Sequence, residues 1–214
     1  MTKLEKLYAH YYTPLIYLGI FFATAIIGAD LLTYKLISVW GYTASAALIF
    51  FPLTYALGDI TAEVYGRPIA VPMVLIAIGA EFYVDTLLSC MSHLDSPSAM
   101  DHSSAFTTVL GPLQEVFWGN VTALAISALM NVIVMSKLKS LYKGRYFIIR
   151  NLIATFSSEI VYVIIAYSIW FVGRVPLPTL LTMMAVSKSF KVIFALVVAY
   201  PSMLMTRRIA ALNP

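Results

Sequence analysis

The chain is poor in the groups that most soluble chemistry uses. It has one cysteine, Cys90, in 214 residues, so an internal disulfide and a cage of cysteine ligands are both excluded. Charged residues make up 11% and hydrophobic residues 61%, against about 25% and about 45–50% in soluble globular chains. A soluble domain is therefore excluded. Ten glycines, ten prolines and the lack of any block of like charge also exclude collagen-like and disordered chains. The three histidines all fall outside the long apolar runs. No G-x-x-x-x-G-K-[ST] or H-E-x-x-H run occurs, so neither P-loop nucleotide hydrolysis nor that class of zinc proteolysis is expected. Ala56-Leu57-Gly58-Asp59 lacks the glycine that opens the intramembrane aspartyl protease signature. A channel's ring of like charge or filter loop is missing too. The expectation is a protein with no catalytic residues, no cofactor and no metal.

What the chain has in quantity is apolar length. A hydrocarbon core about 30 Å thick needs roughly 20 apolar residues per helix, and six such runs occur: Pro14–Leu32, Tyr42–Asp59, Ile69–Met91, Val116–Ser136, Phe147–Phe171 and Pro178–Met205. The fold class expected is an all-α integral membrane protein, residues 1–214 forming a single six-helix transmembrane domain. Alternating strands of barrel type are absent, no cleavable leader is expected, and no internal repeat is visible by eye, which leaves room for a hidden inverted repeat of the transporter kind.

Positive charge then sets the orientation. Lys3, Lys6, Arg67, Lys137, Lys139, Lys143, Arg145, Arg150, Arg207 and Arg208 fall on one side, and only Lys35 and Arg174 on the other. Both termini are expected in the cytoplasm. The outer segment Ser92–Pro112 carries His93, Asp95, Asp101 and His102 without zinc-type spacing, and reads as a solvated loop.

Ionisable groups inside a bilayer cost at least about 2.5–3.5 kcal/mol each at a helix centre, so each needs a partner or a purpose. Glu81, Glu159 and Lys191 fall at the middle of their runs, with Asp85 and Lys188 about one turn outward. Glu81 and Asp85 share one helix face, Lys188 and Lys191 another. Three carboxylates against two ammonium groups leave one carboxylate for a proton or a ligand. The same residues also suit structural ion pairs, and Asp85 could reach outer water. Asn120, Asn131, Ser157 and Ser158 add hydrogen-bonding groups that serve a polar solute or plain helix packing. At the end of the second run, Asp59, Glu63 and Arg67 are spaced to line one face as an ion network. Pro52 is placed to kink that helix, and Gly66 to cap it.

The run Phe51-Pro52-Leu53-Thr54 … Asp59 … Glu63-Val64-Tyr65-Gly66 is similar to the second-span signature of the queuosine precursor transporter family, also described as vitamin uptake transporters. Gly119-Asn120, Arg150-Asn151 with Thr155, and Phe190-Lys191 with Pro201 resemble its fourth, fifth and sixth spans. Val121-Thr122-Ala123 departs from the family's arginine after Gly-Asn, and Asn131 stands where it carries an aspartate. Glu159 holds an amide position and Tyr162 an acid position. The resemblance implies uptake of a 7-deazaguanine base such as preQ0 or preQ1 across the bacterial inner membrane, for salvage in tRNA modification. The partners implied are a small heterocyclic base and the lipid bilayer, with no nucleic acid, and a homodimer is compatible.

A guanine-like edge offers adjacent N–H donors that a carboxylate accepts side by side, while a cation or amide meets the carbonyl. Glu159 or Glu81 is the expected base-reading carboxylate, Lys191 its partner, and Asn120 a further contact, with Tyr162, Phe117 or Trp118 placed to stack on the ring. Secondary active transport is the first expectation. The alternative is the substrate-binding subunit of an energy-coupling-factor transporter, for which Ala25 and Ala29 would form a small-residue docking face.

Overall fold

The computed structural model describes residues 3–95, 103–143 and 147–211. Asp101, His102 and Arg145 lie outside them, and the side chains of Lys3, Lys6, Arg67, Asn131, Lys139, Arg150, Asn151 and Thr155 lie outside the described side chains. Helices dominate: α1 Lys3–Leu31, α2 Phe51–Tyr65, α3 Arg67–Ser92, α4 Ser103–Leu110, α5 Leu113–Leu141, α6 Phe147–Phe171 and α7 Leu177–Ala210. A two-stranded hairpin, β1 Leu36–Val39 and β2 Tyr42–Ser45, and a 3-10 turn at Ala46–Ile49 separate α1 from α2. Among the described residues four stretches are long and apolar enough to cross a membrane: Tyr11–Leu31, Ala46–Tyr65, Pro68–Ser92 and Leu177–Phe194. Phe156–Phe171 is a shorter apolar helix.

The second expected run is displaced. Tyr42–Ser45 is a strand rather than helix, because Trp40 and Gly41 both take positive φ (52° and 82°) and so form the two-residue turn whose twist matches a hairpin. Pro52 accordingly sits in the first turn of α2, where its missing N–H breaks no bond, and kinks nothing. At the other end Gly66 stops α2 at φ 77° and ψ 167°, donating its N–H to the Ala62 carbonyl, and α3 starts at the next residue. Asp59 and Glu63 therefore share a helix and are exposed, whereas Arg67 opens a different helix. The expected three-residue face is interrupted by the glycine.

The outer segment also departs from a free loop. Thr107 Oγ1 of α4 donates to the Ser92 carbonyl at 2.7 Å, and Ser89 Oγ to that of Gly111 at 3.0 Å, which folds α4 back on the end of α3. His93 Nδ1 donates to the Ser89 carbonyl at 2.7 Å, while Asp95 is exposed.

Contacts group the chain into two compact units. The first contains Met1–Leu36, Ser45–Leu113 and Phe190–Pro214. Its core is built from Leu18, Phe22 and Ile26 of α1, Leu57 and Ile60 of α2 and Ala77 of α3. Near the opposite end of α1, Tyr65 donates to the Tyr11 carbonyl at 2.9 Å and Tyr11 to that of Val64 at 3.3 Å, so each ring's polar tip is satisfied where its body packs. The second unit contains Ile37–Ala44 and Gln114–Ser189. Its interior is held by Val116, Ala154, Ala166, Trp170 and Met183, all essentially inaccessible to solvent.

Candidate functional sites

In the first unit the last turn of α1 is fastened by short polar contacts. Thr33 Oγ1 donates to the Ala29 carbonyl at 3.0 Å, and Ser45 Oγ to the Thr33 carbonyl at 2.6 Å, so the chain leaving α1 is tied to the residue that opens the 3-10 turn. Gly28 lets the Phe50 ring close on the helix, since a Cβ there would meet it at 3.3 Å. This fixes Asp30 against α3. Asp30, Glu81 and Asp85 form one cluster in which an oxygen from each carboxylate lies within 4.8 Å of the others. Their exposures are 1%, 0% and 0%. Neither oxygen of Asp30, nor either of Asp85, has a hydrogen-bond partner among the described residues. Such a set cannot be fully ionised in an apolar interior without a counter-charge.

Glu81 and Asp85 face inward together, as their i,i+4 spacing requires. Asp30 was missing from the expected group, because it stands near the end of the first apolar run and not at its middle. The signal available was the sequence Gly28-Ala29-Asp30, small residues beside an acid, which permits close approach of another helix.

In the second unit α5 and α6 pack through Gly119. A Cβ at that position would collide with the indole nitrogen of Trp170, whose N–H donates to the Val116 carbonyl at 3.2 Å. This closeness brings Asn120, 2% exposed, within reach of α6, where Tyr162 donates its hydroxyl proton to Asn120 Oδ1 at 2.8 Å. Tyr162 thus uses an acid's expected position to bind the amide. Glu159 lies three residues before it on nearly the same face and is half-buried, and Ser158 is buried. Lys188 places its Nζ 3.4 Å from the centroid of the Phe156 ring, a close cation–π contact, with the Phe156 carbonyl also at 3.4 Å. Phe117 is buried and Trp118 is exposed. Outside this group, Arg174 and Glu115 form a surface ion pair at 2.6 Å, a class worth about 0–1 kcal/mol.

The two lysines of α7 meet different aromatic rings. Lys188 meets Phe156 in the second unit, while Lys191 belongs to the first and stands 5.0 Å from the Tyr55 ring centroid. Ala25 and Ala29, expected as a docking face, are 3% and 0% exposed and serve the interior of the first unit.

The comparison with family models finds one match, over residues 45–205, to the family described as "Putative vitamin uptake transporter". The matched segment begins at the end of β2 and includes α2, α3, α5, α6 and most of α7. No curated protein and no solved structure matches the chain.

Proposed function

The chain belongs to the vitamin uptake transporter family, and from that premise we propose that it imports a 7-deazaguanine base, a queuosine precursor, by secondary active transport across the bacterial inner membrane. In this reading α1, α2, α3, α5, α6 and α7 cross the bilayer, and both termini are cytoplasmic. The observation that carries the substrate class is the buried hydrogen bond between Asn120 and Tyr162 one turn from Glu159. With Tyr162 occupying the amide oxygen as donor, the amide N–H pair of Asn120 suits a carbonyl. The Glu159 carboxylate suits the adjacent ring and exocyclic N–H donors of a guanine-like edge. Lys188 is a cation of the same unit. The resemblance of Phe51–Gly66 to the queuosine precursor signature supports the same substrate.

The test is uptake. A strain that cannot synthesise the base but receives it externally should modify its tRNA when this chain is expressed, and lose that ability without it. Purified chain in vesicles should take up labelled base when an ion gradient is imposed. Uptake that occurs only after ATP and separate ATPase subunits are added would establish the energy-coupling-factor alternative instead.

A further inference from the structure

We propose that Asp30, Glu81 and Asp85 form a binding site for one hard inorganic cation, Na⁺ or Ca²⁺, set between α1 and α3 in the first unit. The carboxylates come from two helices, so the site exists only where those helices meet. Three oxygens within 4.8 Å of one another leave a point that lies no more than about 2.8 Å from each of them by plane geometry. Contacts of 2.3–2.6 Å to a calcium-sized ion fall inside that bound, and a buried set of protein carboxylates suits such an ion better than Mg²⁺, which gives up its water reluctantly. Oxygen-only ligation excludes soft metals as the natural occupant.

The independent observation is the state of Asp30. It is 1% exposed, it comes from the opposite helix, and neither of its oxygens receives a hydrogen bond from a donor group among the described residues, its polar neighbours being the other two carboxyl groups. Asp85 is in the same state at 0% exposed. A buried carboxylate is normally satisfied by donors, because leaving it unpaired removes its hydration without replacement. Two unsatisfied carboxylates turned toward a third are satisfied together by one cation, which is how buried acids in membrane helices define ion pathways. An ion bound here would tie the end of α1 to α3, and its release would leave like charges apposed. Ion occupancy is thereby linked to the packing of those two helices. The site rests on the first unit alone and uses none of Asn120, Glu159 and Tyr162.

The experiment follows thermal unfolding of the purified full chain in an uncharged detergent, with no base present. NaCl, CaCl₂, MgCl₂ and choline chloride are compared at equal ionic strength. A cation that binds the native state raises the midpoint in a saturable way, here by roughly 3 °C or more, with choline as baseline. Na⁺ or Ca²⁺ should give that rise, and the difference between the two identifies the ion. Asp30→Asn and Asp85→Asn should each abolish it, while Asp59→Asn, an exposed acid outside the cluster, should keep it. If all four salts give the same midpoint in the unmodified chain, the cluster holds protons only and the proposal fails. It fails equally if Asp30→Asn retains the full rise. Because the first comparison needs no variant, a variant that fails to fold leaves the decision intact.

Discussion

Glu81 and Asp85 are four apart, so their common face follows from helix geometry alone. Asp30 joins them only because α1 packs on α3, a contact between residues more than fifty apart, and no local pattern encodes that. Tyr162 was legible as an acid replaced by a phenol; its bond to Asn120 required the approach of α5 to α6 that Gly119 permits. Gly119→Ala tests that approach. The added methyl would overlap an indole that is 1% exposed and cannot swing away, so overpacking should cost about 1–3 kcal/mol. A lower unfolding midpoint, together with weaker base binding as Asn120 moves, is the expected result. Glu159→Gln keeps the volume but turns an acceptor toward the substrate's donors, and should weaken base binding by about 1–3 kcal/mol with little change in stability. Unchanged binding by a folded Glu159→Gln protein would remove Glu159 from the site.

Whole elements were read best where apolar length decides and worst where a turn interrupts it. α3 and α6 begin and end close to the expected runs, since their flanks carry polar or glycine breaks. The second run was placed too early, because Tyr42-Thr43-Ala44-Ser45 carries no charge and no breaker to separate it from the apolar residues that follow. The Trp40-Gly41 turn that converts it to a strand depends on backbone angles rather than composition. Gly66 was legible as a cap but not as a hinge with helices on both sides. Its φ of 77° and ψ of 167° lie in a region open essentially to glycine alone. Gly66→Ala should therefore cost about 1–3 kcal/mol or more, and should do so through the junction of α2 and α3, where Tyr65 is anchored to Tyr11. Loss of stability without loss of base affinity in the remaining folded protein is the expected pattern. A neutral Gly66→Ala would show that the junction is not held in this conformation.

At the scale of the molecule, the proposed orientation rests on the lysine and arginine positions and not on packing, and it is tested from outside. α6 is the critical element. At Phe147–Phe171 it has 25 residues, enough for the roughly 20 that a full crossing needs, and it carries Glu159 of the proposed site. The basic segment with Lys137 and Lys143 precedes it, and Arg174 follows it. If the segment before α6 is cytoplasmic and the one after it external, α6 crosses once. With Cys90→Ser removing the native thiol, Ser140→Cys in the last turn of α5 and Val172→Cys just after α6 place single exposed cysteines on the two flanks of α6. A membrane-impermeant maleimide should label Val172→Cys in intact cells and Ser140→Cys only after permeabilisation. The opposite pattern would invert the molecule and contradict the charge asymmetry. Labelling of both from one side would mean that α6 does not cross, and six crossings would then be ruled out even though the helices themselves remain.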